Sequence, residues 1–271
     1  MKSKRQKTRK ILLLASMLLF PMVLNYLSPY LVIQGGFGGV LAGSGVVFAG
    51  LFVSSLVFGR AYCGWMCAPG GLQEVCSSIV SKPTSRRQNI VKYIVWVPWL
   101  AAIVLGFISA GGLKKVDMLF LTDNGISVTS IYGYVIYFFV VILIVVLSLT
   151  LGKRSFCHSL CWMAPFMVLG SLVSHKLRLP SLRLKANAQG CTGCGACSNS
   201  CPMCLPVQDM VKKDAMFHTE CILCASCADT CPHKSIQVAF CRPAKRLRAL
   251  PYSAPVAGLE SQAFSGRVPK L

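Results

Sequence analysis

Acidic residues are what this chain has least of: eight Asp and Glu stand against 28 Lys and Arg, leaving a net charge of +20 over 271 residues. So short a supply leaves little for the paired carboxylates of general acid–base chemistry. There is no Walker-type phosphate loop and no dinucleotide fingerprint, and the glycines of Gly36-Phe37-Gly38-Gly39 lie in an apolar stretch. No C-x-x-C-H haem attachment sequence occurs. Charge of either sign is sparse too, at 13% against 54% hydrophobic, which is too apolar for an ordinary soluble domain. A basic excess can signal nucleic acid, but the aromatic–basic platforms that hold single strands are missing. The basic residues instead flank long apolar runs, as they do at membrane surfaces. Nothing resembles a substrate pocket with a nucleophile and its base, so the chain does not read as a stand-alone enzyme.

What the chain has in quantity is cysteine, fifteen in all. Eight fall in two runs, Cys191-x2-Cys194-x2-Cys197-x3-Cys201-Pro202 and Cys221-x2-Cys224-x2-Cys227-x3-Cys231-Pro232. Both match C-x2-C-x2-C-x3-C-P, the bacterial-type run that holds [4Fe–4S] clusters. Three thiolates two residues apart wrap one cubane, while the fourth, followed by a chain-turning proline, points away toward the other cluster. The expected ligand sets are therefore Cys191, Cys194, Cys197 and Cys231 for one cluster, and Cys221, Cys224, Cys227 and Cys201 for the other. A zinc module would use two C-x2-C pairs and needs neither the third cysteine nor the prolines. Iron–sulfur ligation needs reduced thiolates, which places this part on the reducing side of a membrane.

Apolar runs at 11–33, 38–59, 91–110 and 131–151 predict four transmembrane helices, each about as long as a bilayer core. The second contains Gly39 and Gly43 in a G-x-x-x-G relation, which reads equally as a helix-packing face or as a glycine-rich turn. The apolar run 162–174 is too short to cross and predicts an interfacial helix. Six Lys and Arg lie in residues 1–10, and Arg60, Lys82, Arg86 and Arg87 lie in the loop after the second span. The loop 111–130 holds only Lys114 and Lys115. By the positive-inside rule both termini are cytoplasmic, which agrees with the redox argument. The expected architecture is a basic cytoplasmic N-terminus (1–10), then an α-helical integral membrane domain (11–180). A small α+β two-cluster bacterial-ferredoxin-like domain (181–241) and a basic disordered tail (242–271) lying on anionic lipid follow. The expected location is the inner (cytoplasmic) membrane, multi-pass, with the ferredoxin domain in the cytoplasm.

The inner ends of the second and fourth spans look alike. One reads Gly59-Arg60-Ala61-Tyr62-Cys63-x3-Cys67-Ala68-Pro69, the other Gly152-Lys153-Arg154-Ser155-Phe156-Cys157-x3-Cys161, with Pro165 beyond. Glycine, a basic anchor, an aromatic, C-x3-C and a nearby proline suggest an internal repeat. Buried packing is the ordinary fate of a single apolar-segment thiol; two matched pairs at equivalent depth point to redox or metal chemistry. Cys63, Cys67, Cys157 and Cys161 are expected to form one shared site. It would hold an additional metal or cluster, or cycle between dithiol and disulfide. Cys76, Cys204 and Cys241 are left over as free thiols. Glu74 reads as a solvated helix-end acid, His158 as an interfacial histidine that is neither ligand nor proton acceptor, and His218 and His233 as neighbours that tune solvation or hydrogen bonding at the second cluster motif.

This arrangement resembles the NapH/MauN-type, NosR-like family of membrane ferredoxins. The likeness rests on Gly59–Glu74, Gly152–Met167 and 191–232. The family pattern puts proline directly after the second cysteine, whereas this chain inserts Ala68 before Pro69 and Trp162-Met163-Ala164 before Pro165. The resemblance implies an electron carrier with two [4Fe–4S] clusters, relaying electrons between a membrane donor or acceptor, the quinone pool, and a partner redox protein. The alternative is a maturation factor that spends ferredoxin electrons on reducing or loading another enzyme's metal or thiol centre. Membrane lipid and a redox protein, such as a quinol-linked complex, are the expected partners, and nucleic acid is not.

Overall fold

The computed structural model describes residues 3–80, 82–85, 88–122 and 125–243, so nearly all of the 242–271 tail lies outside the described residues. The chain opens with α1 (Lys4–Leu18) and α2 (Phe20–Val23), then a 3₁₀ turn (Asn25–Leu27) and α3 (Pro29–Phe37). The apolar run 11–33 is thus a broken helix rather than one straight rod. A break leaves carbonyls without helical partners, and distant side chains take them up. Trp162 Nε1 donates to Leu27 O at 2.7 Å, Trp99 Nε1 to Pro29 O at 3.0 Å and Ser127 Oγ to Met22 O at 2.6 Å.

The expected second span begins as strand β1 (Val40–Ala42), and its helix, α4, runs from Gly43 to Phe58. Gly39 and Gly43 therefore belong to a turn and a helix start, and the turn reading of this glycine-rich stretch holds. After α5 (Ala61–Trp65) and α6 (Ala68–Ile79) come α7 (Gln88–Ser109), strand β2 (Lys115–Asp117) and α8 (Ile131–Leu151). Strands β1 and β2 pair in parallel, with Val40 opposite Lys115. Among the described residues, α7 and α8 are the two helices long and apolar enough to cross a membrane, and α4, at 16 residues, is shorter. Four full-length spans are not what the helices by themselves amount to.

Next come α9 (Ser155–Ser159) and α10 (Met163–Lys176). The latter is the expected interfacial helix, but it is built into the bundle. Met163, Ala164, Met167, Val168 and Gly170 are buried, and Phe166 packs on Phe48, Trp96 and Trp99. Gly170 lies against Phe52 and Ser55 of α4, an approach that a side chain would prevent. Small residues, rather than a polar outer face, decide this helix's position.

The C-terminal part is small and α+β. β3 (Ser181–Ala186) is followed by α11 (Ala196–Asn199), α12 (Val207–Lys212), α13 (Ser226–Thr230) and β4 (Ile236–Cys241). β3 and β4 pair antiparallel from Ser181–Cys241 to Ala186–Ile236, closing the module with its first and last strands.

Candidate metal centres

Two cavities in the C-terminal module are each lined by four cysteines. Cys191, Cys194, Cys197 and Cys231 meet at one, Cys201, Cys221, Cys224 and Cys227 at the other. These are the two crossed sets that the spacing predicts. The loops carrying them turn left-handed at equivalent places, Gly193 and Gly195 in the first run, Leu223 and Ala225 in the second. For the non-glycine pair that conformation costs about 1–2 kcal/mol per residue, the kind of strain that collects where a loop is shaped around a ligand. Apolar walls of Met203, Met210 and Ile222 close the second cavity. Burial pushes the Cys201 thiol up to about 12 and the Cys221 thiol up to about 11, so iron must displace protons when it binds. Among the described residues no three Cys, His, Asp or Glu side chains converge tightly enough for a single metal ion. A cubane holds its four thiolates further apart than one tetrahedral ion with metal–sulfur bonds of about 2.3 Å, so the residues present fit the cluster.

The other four predicted cysteines also come together. Cys63 sits on α5 and Cys67 at the N-terminus of α6; Cys157 sits on α9 and Cys161 just before α10. All four are buried and none is in a disulfide. Gln73 joins the two pairs: its Nε2 donates to Cys157 Sγ at 3.2 Å and to Pro69 O at 3.0 Å, while its Oε1 accepts from Cys157 N. Arg154 Nη1 donates to Cys63 O at 3.0 Å. Burial, then the neighbouring Cys157 and Cys63, push the Cys161 thiol up to about 12. The helices that deliver the pairs stop alike, since α4 ends at Gly59 (φ +55°) and α8 at Gly152 (φ +106°).

Each motif carries a buried arginine three residues before its first cysteine, and each arginine meets one of the chain's few acids. Arg60 Nη1 donates to Glu220 Oε2 at 2.8 Å, and Lys92 Nζ reaches Glu220 Oε1 at 2.5 Å. Arg154 Nη2 donates to Glu74 Oε2 at 2.9 Å, and Arg9 Nη2 reaches Glu74 Oε1. Burial by itself would raise the Glu74 and Glu220 carboxyls, but their cationic partners prevail and hold both at about 2. Glu74 is therefore an ion-pair anchor rather than a solvated helix-end acid.

These contacts fasten the ferredoxin module to the bundle. Glu220 directly precedes Cys221, and Arg60 also donates to Thr219 O at 2.9 Å. Trp65 Nε1 donates to Leu223 O at 3.1 Å, and Gly64 faces Ile222 O so closely that any side chain at 64 would collide with it. The N-terminus grips the same loop: Arg5 forms a two-pronged pair with Asp229, and Gln6 Nε2 donates to Cys224 O at 3.0 Å.

Sequence reasoning missed Gln73, Lys92, Glu220 and the roles of Arg60 and Arg154. The shared spacing Arg-x2-Cys-x3-Cys was a usable signal for the arginines. The scarcity of acids could have flagged Glu220 beside its cysteine; Gln73 and Lys92 carry no mark. His158 is buried, with Nδ1 2.7 Å from Asn89 Oδ1. His233 lines the first ferredoxin cavity, while Cys204 and His218 line a separate small one with His158. Cys76 is buried in α6, and Cys241 ends β4.

Comparison with known proteins agrees with this picture. A family model described as a 4Fe-4S binding domain matches residues 41–87 and 132–180, and a 4Fe-4S dicluster domain matches 190–236. The chain is 22% identical, over 83% of its length, to YccM of Escherichia coli, which is named as an electron transport protein. It is 30% identical, over 66% of its length, to the methylamine utilization ferredoxin-type protein MauN of Paracoccus denitrificans. It is also 27% identical, over 77% of its length, to the uncharacterized protein MJ0750 of Methanocaldococcus jannaschii, of which it covers 82%. The chain spans 63% of YccM and 62% of MauN. No solved structure matches it. Two [4Fe–4S] clusters follow from the motifs and the matched domains together. With its paired C-x3-C segments ahead of a two-cluster module, the chain is similar to the MauN ferredoxin-type proteins and carries both matched 4Fe-4S domains, which is consistent with the NapH/MauN type.

Proposed function

We propose that this chain is a membrane-embedded electron carrier, passing single electrons between the quinone pool and a partner redox protein. Residues 11–180 form the membrane domain, crossing with the broken first helix, α4, α7 and α8. Residues 181–241 form the ferredoxin domain on the cytoplasmic face, beside the basic N-terminus. Cys191, Cys194, Cys197 and Cys231 hold one cluster, and Cys221, Cys224, Cys227 and Cys201 the other. The clusters would supply one-electron chemistry; the protein would hold them on the eight module cysteines, with the apolar side chains Met203, Met210 and Ile222 walling the second site.

One observation carries this reading: the loop 219–224 of the second cluster site is fastened directly to the helix that bears Cys63, through Arg60, Gly64 and Trp65. A cluster loop held there has the membrane cysteines as its immediate neighbours. The experiment is reoxidation of the chemically reduced protein in membrane vesicles by a water-soluble quinone analogue, read from cluster absorbance. Wild type should reoxidise. Gly64→Ala, which wedges α5 away from the loop, should slow that step while both clusters remain. Reoxidation by a metal ion or a disulfide substrate but not by quinone would replace the carrier with a maturation factor.

A further inference from the structure

Around the four bundle cysteines the protein has assembled more positive charge than it neutralises. Arg60 and Lys92 face the single carboxylate of Glu220, and Arg9 and Arg154 the single carboxylate of Glu74. Among the described residues each group is left with one positive charge that no carboxylate offsets. Arg60 and Arg154 are both only 1% exposed, and the Nε of each has no hydrogen-bond partner among the described residues. Buried donors and charges of this kind are costly unless something pairs with them.

Two helix ends add to the field. Cys67 caps α6, of 12 residues, and Cys161 precedes α10, of 14 residues. The backbone N–H of Gly70 is directed at the Cys67 sulfur and that of Ala164 at the Cys161 sulfur. Helix N-termini favour negative charge. Both guanidinium groups lie within electrostatic reach of Cys63 and Cys157.

The occupant must therefore be anionic and hold two negative charges. Four protonated thiols are neutral, and so are two disulfides. A single divalent ion on four thiolates has the right charge, but the sulfurs do not converge on a single-ion site. A doubly positive cubane on four thiolates also carries two negative charges, and the eight ferredoxin cysteines, which the cluster motifs mark as cubane ligands, likewise form no single-ion site among the described residues. Neither segment matched by the 4Fe-4S binding-domain model has four cysteines of its own, since 41–87 contains three and 132–180 two. Only the folded chain brings a full set together. We propose that Cys63, Cys67, Cys157 and Cys161 bind a third [4Fe–4S] cluster, shared between the two halves of the bundle and charge-balanced by Arg60 and Arg154.

This deepens the carrier reading by supplying its membrane-side centre, yet its test does not depend on electron flow. The full-length protein, purified anaerobically, is assayed for iron and acid-labile sulfide per chain. About twelve iron atoms are expected rather than about eight. Cys63→Ser and Cys157→Ser should each lose about four, leaving the spectrum of the ferredoxin clusters intact. Arg154→Gln should lose the same four, and Arg154→Lys, which keeps the charge, should retain more of them; the lysine variant also guards against simple misfolding. Eight iron atoms in wild type and in both cysteine variants would overturn the proposal, as would stoichiometric zinc in place of the extra iron. Twelve iron atoms in a protein inert to quinone would keep the site and overturn the carrier reading instead.

Discussion

Replacing Glu220 with Gln should loosen the ferredoxin module from the bundle, and the structure sets the scale. The carboxylate is 1% exposed and is shared by Arg60 at 2.8 Å and Lys92 at 2.5 Å, both equally buried. Glutamine keeps the shape but removes the only negative charge, leaving two cations facing each other out of water. Removing one partner of a buried pair costs about 3–5 kcal/mol, because the remaining charge is uncompensated. For a chain of this size that corresponds to a melting temperature lower by roughly 6–20 °C. The assay is thermal unfolding of the detergent-solubilised holoprotein, followed by bleaching of cluster absorbance. A second substitution separates charge from packing. Lys92→Met on top of Glu220→Gln restores the net charge of the buried group to its wild-type value and should recover part of the loss. A melting temperature unchanged in Glu220→Gln would refute the reasoning, and so would a double variant no better than the single one. Either result would mean that water or relaxation already relieves these charges.

Cys201→Ser should release Cys221, Cys224 and Cys227 to alkylation while Cys191, Cys194 and Cys197 stay protected. Mass spectrometry of the alkylated peptides decides, and the opposite pattern would end the crossed ligand assignment. The Glu74 carboxyl, held at about 2 against an ordinary 4.5, binds fewer protons folded than unfolded between those values. Its contribution, about 3 kcal/mol, is complete above the ordinary value and fades as pH falls toward 2. Urea titrations between pH 6 and pH 3 should therefore show Glu74→Gln less stable than wild type at pH 6, with the gap narrowing on acidification; a gap that stays constant would argue against the ion pair.

The local motifs of this protein were legible in the sequence because their geometry is local. In each C-x2-C-x2-C-x3-C-P run three cysteines fall within seven residues and the fourth turns away toward the other run, so spacing alone implied the two crossed sets of four that line the two cavities. The long apolar run 131–151 likewise specified α8 to the residue, since a continuous apolar segment has few alternatives to helix. Elsewhere tertiary structure decided. The first apolar run breaks at Asn25–Ser28 because Trp99, Trp162 and Ser127, far along the chain, accept the cost of its free backbone groups. α10 is buried because Gly170 and Ser55 let two helices approach, a fact of shape that hydropathy does not carry. The matched C-x3-C pairs could be recognised as a repeat, but not their environment. Charge in the sequence is a total of +20, and only folding determines that Arg60, Lys92, Arg9 and Arg154 are taken out of water beside four sulfurs with two carboxylates between them. Buried charge is set by contacts across 60 to 160 positions of chain, as in Arg9–Glu74 and Arg60–Glu220, and spacing along the sequence holds no record of such pairings.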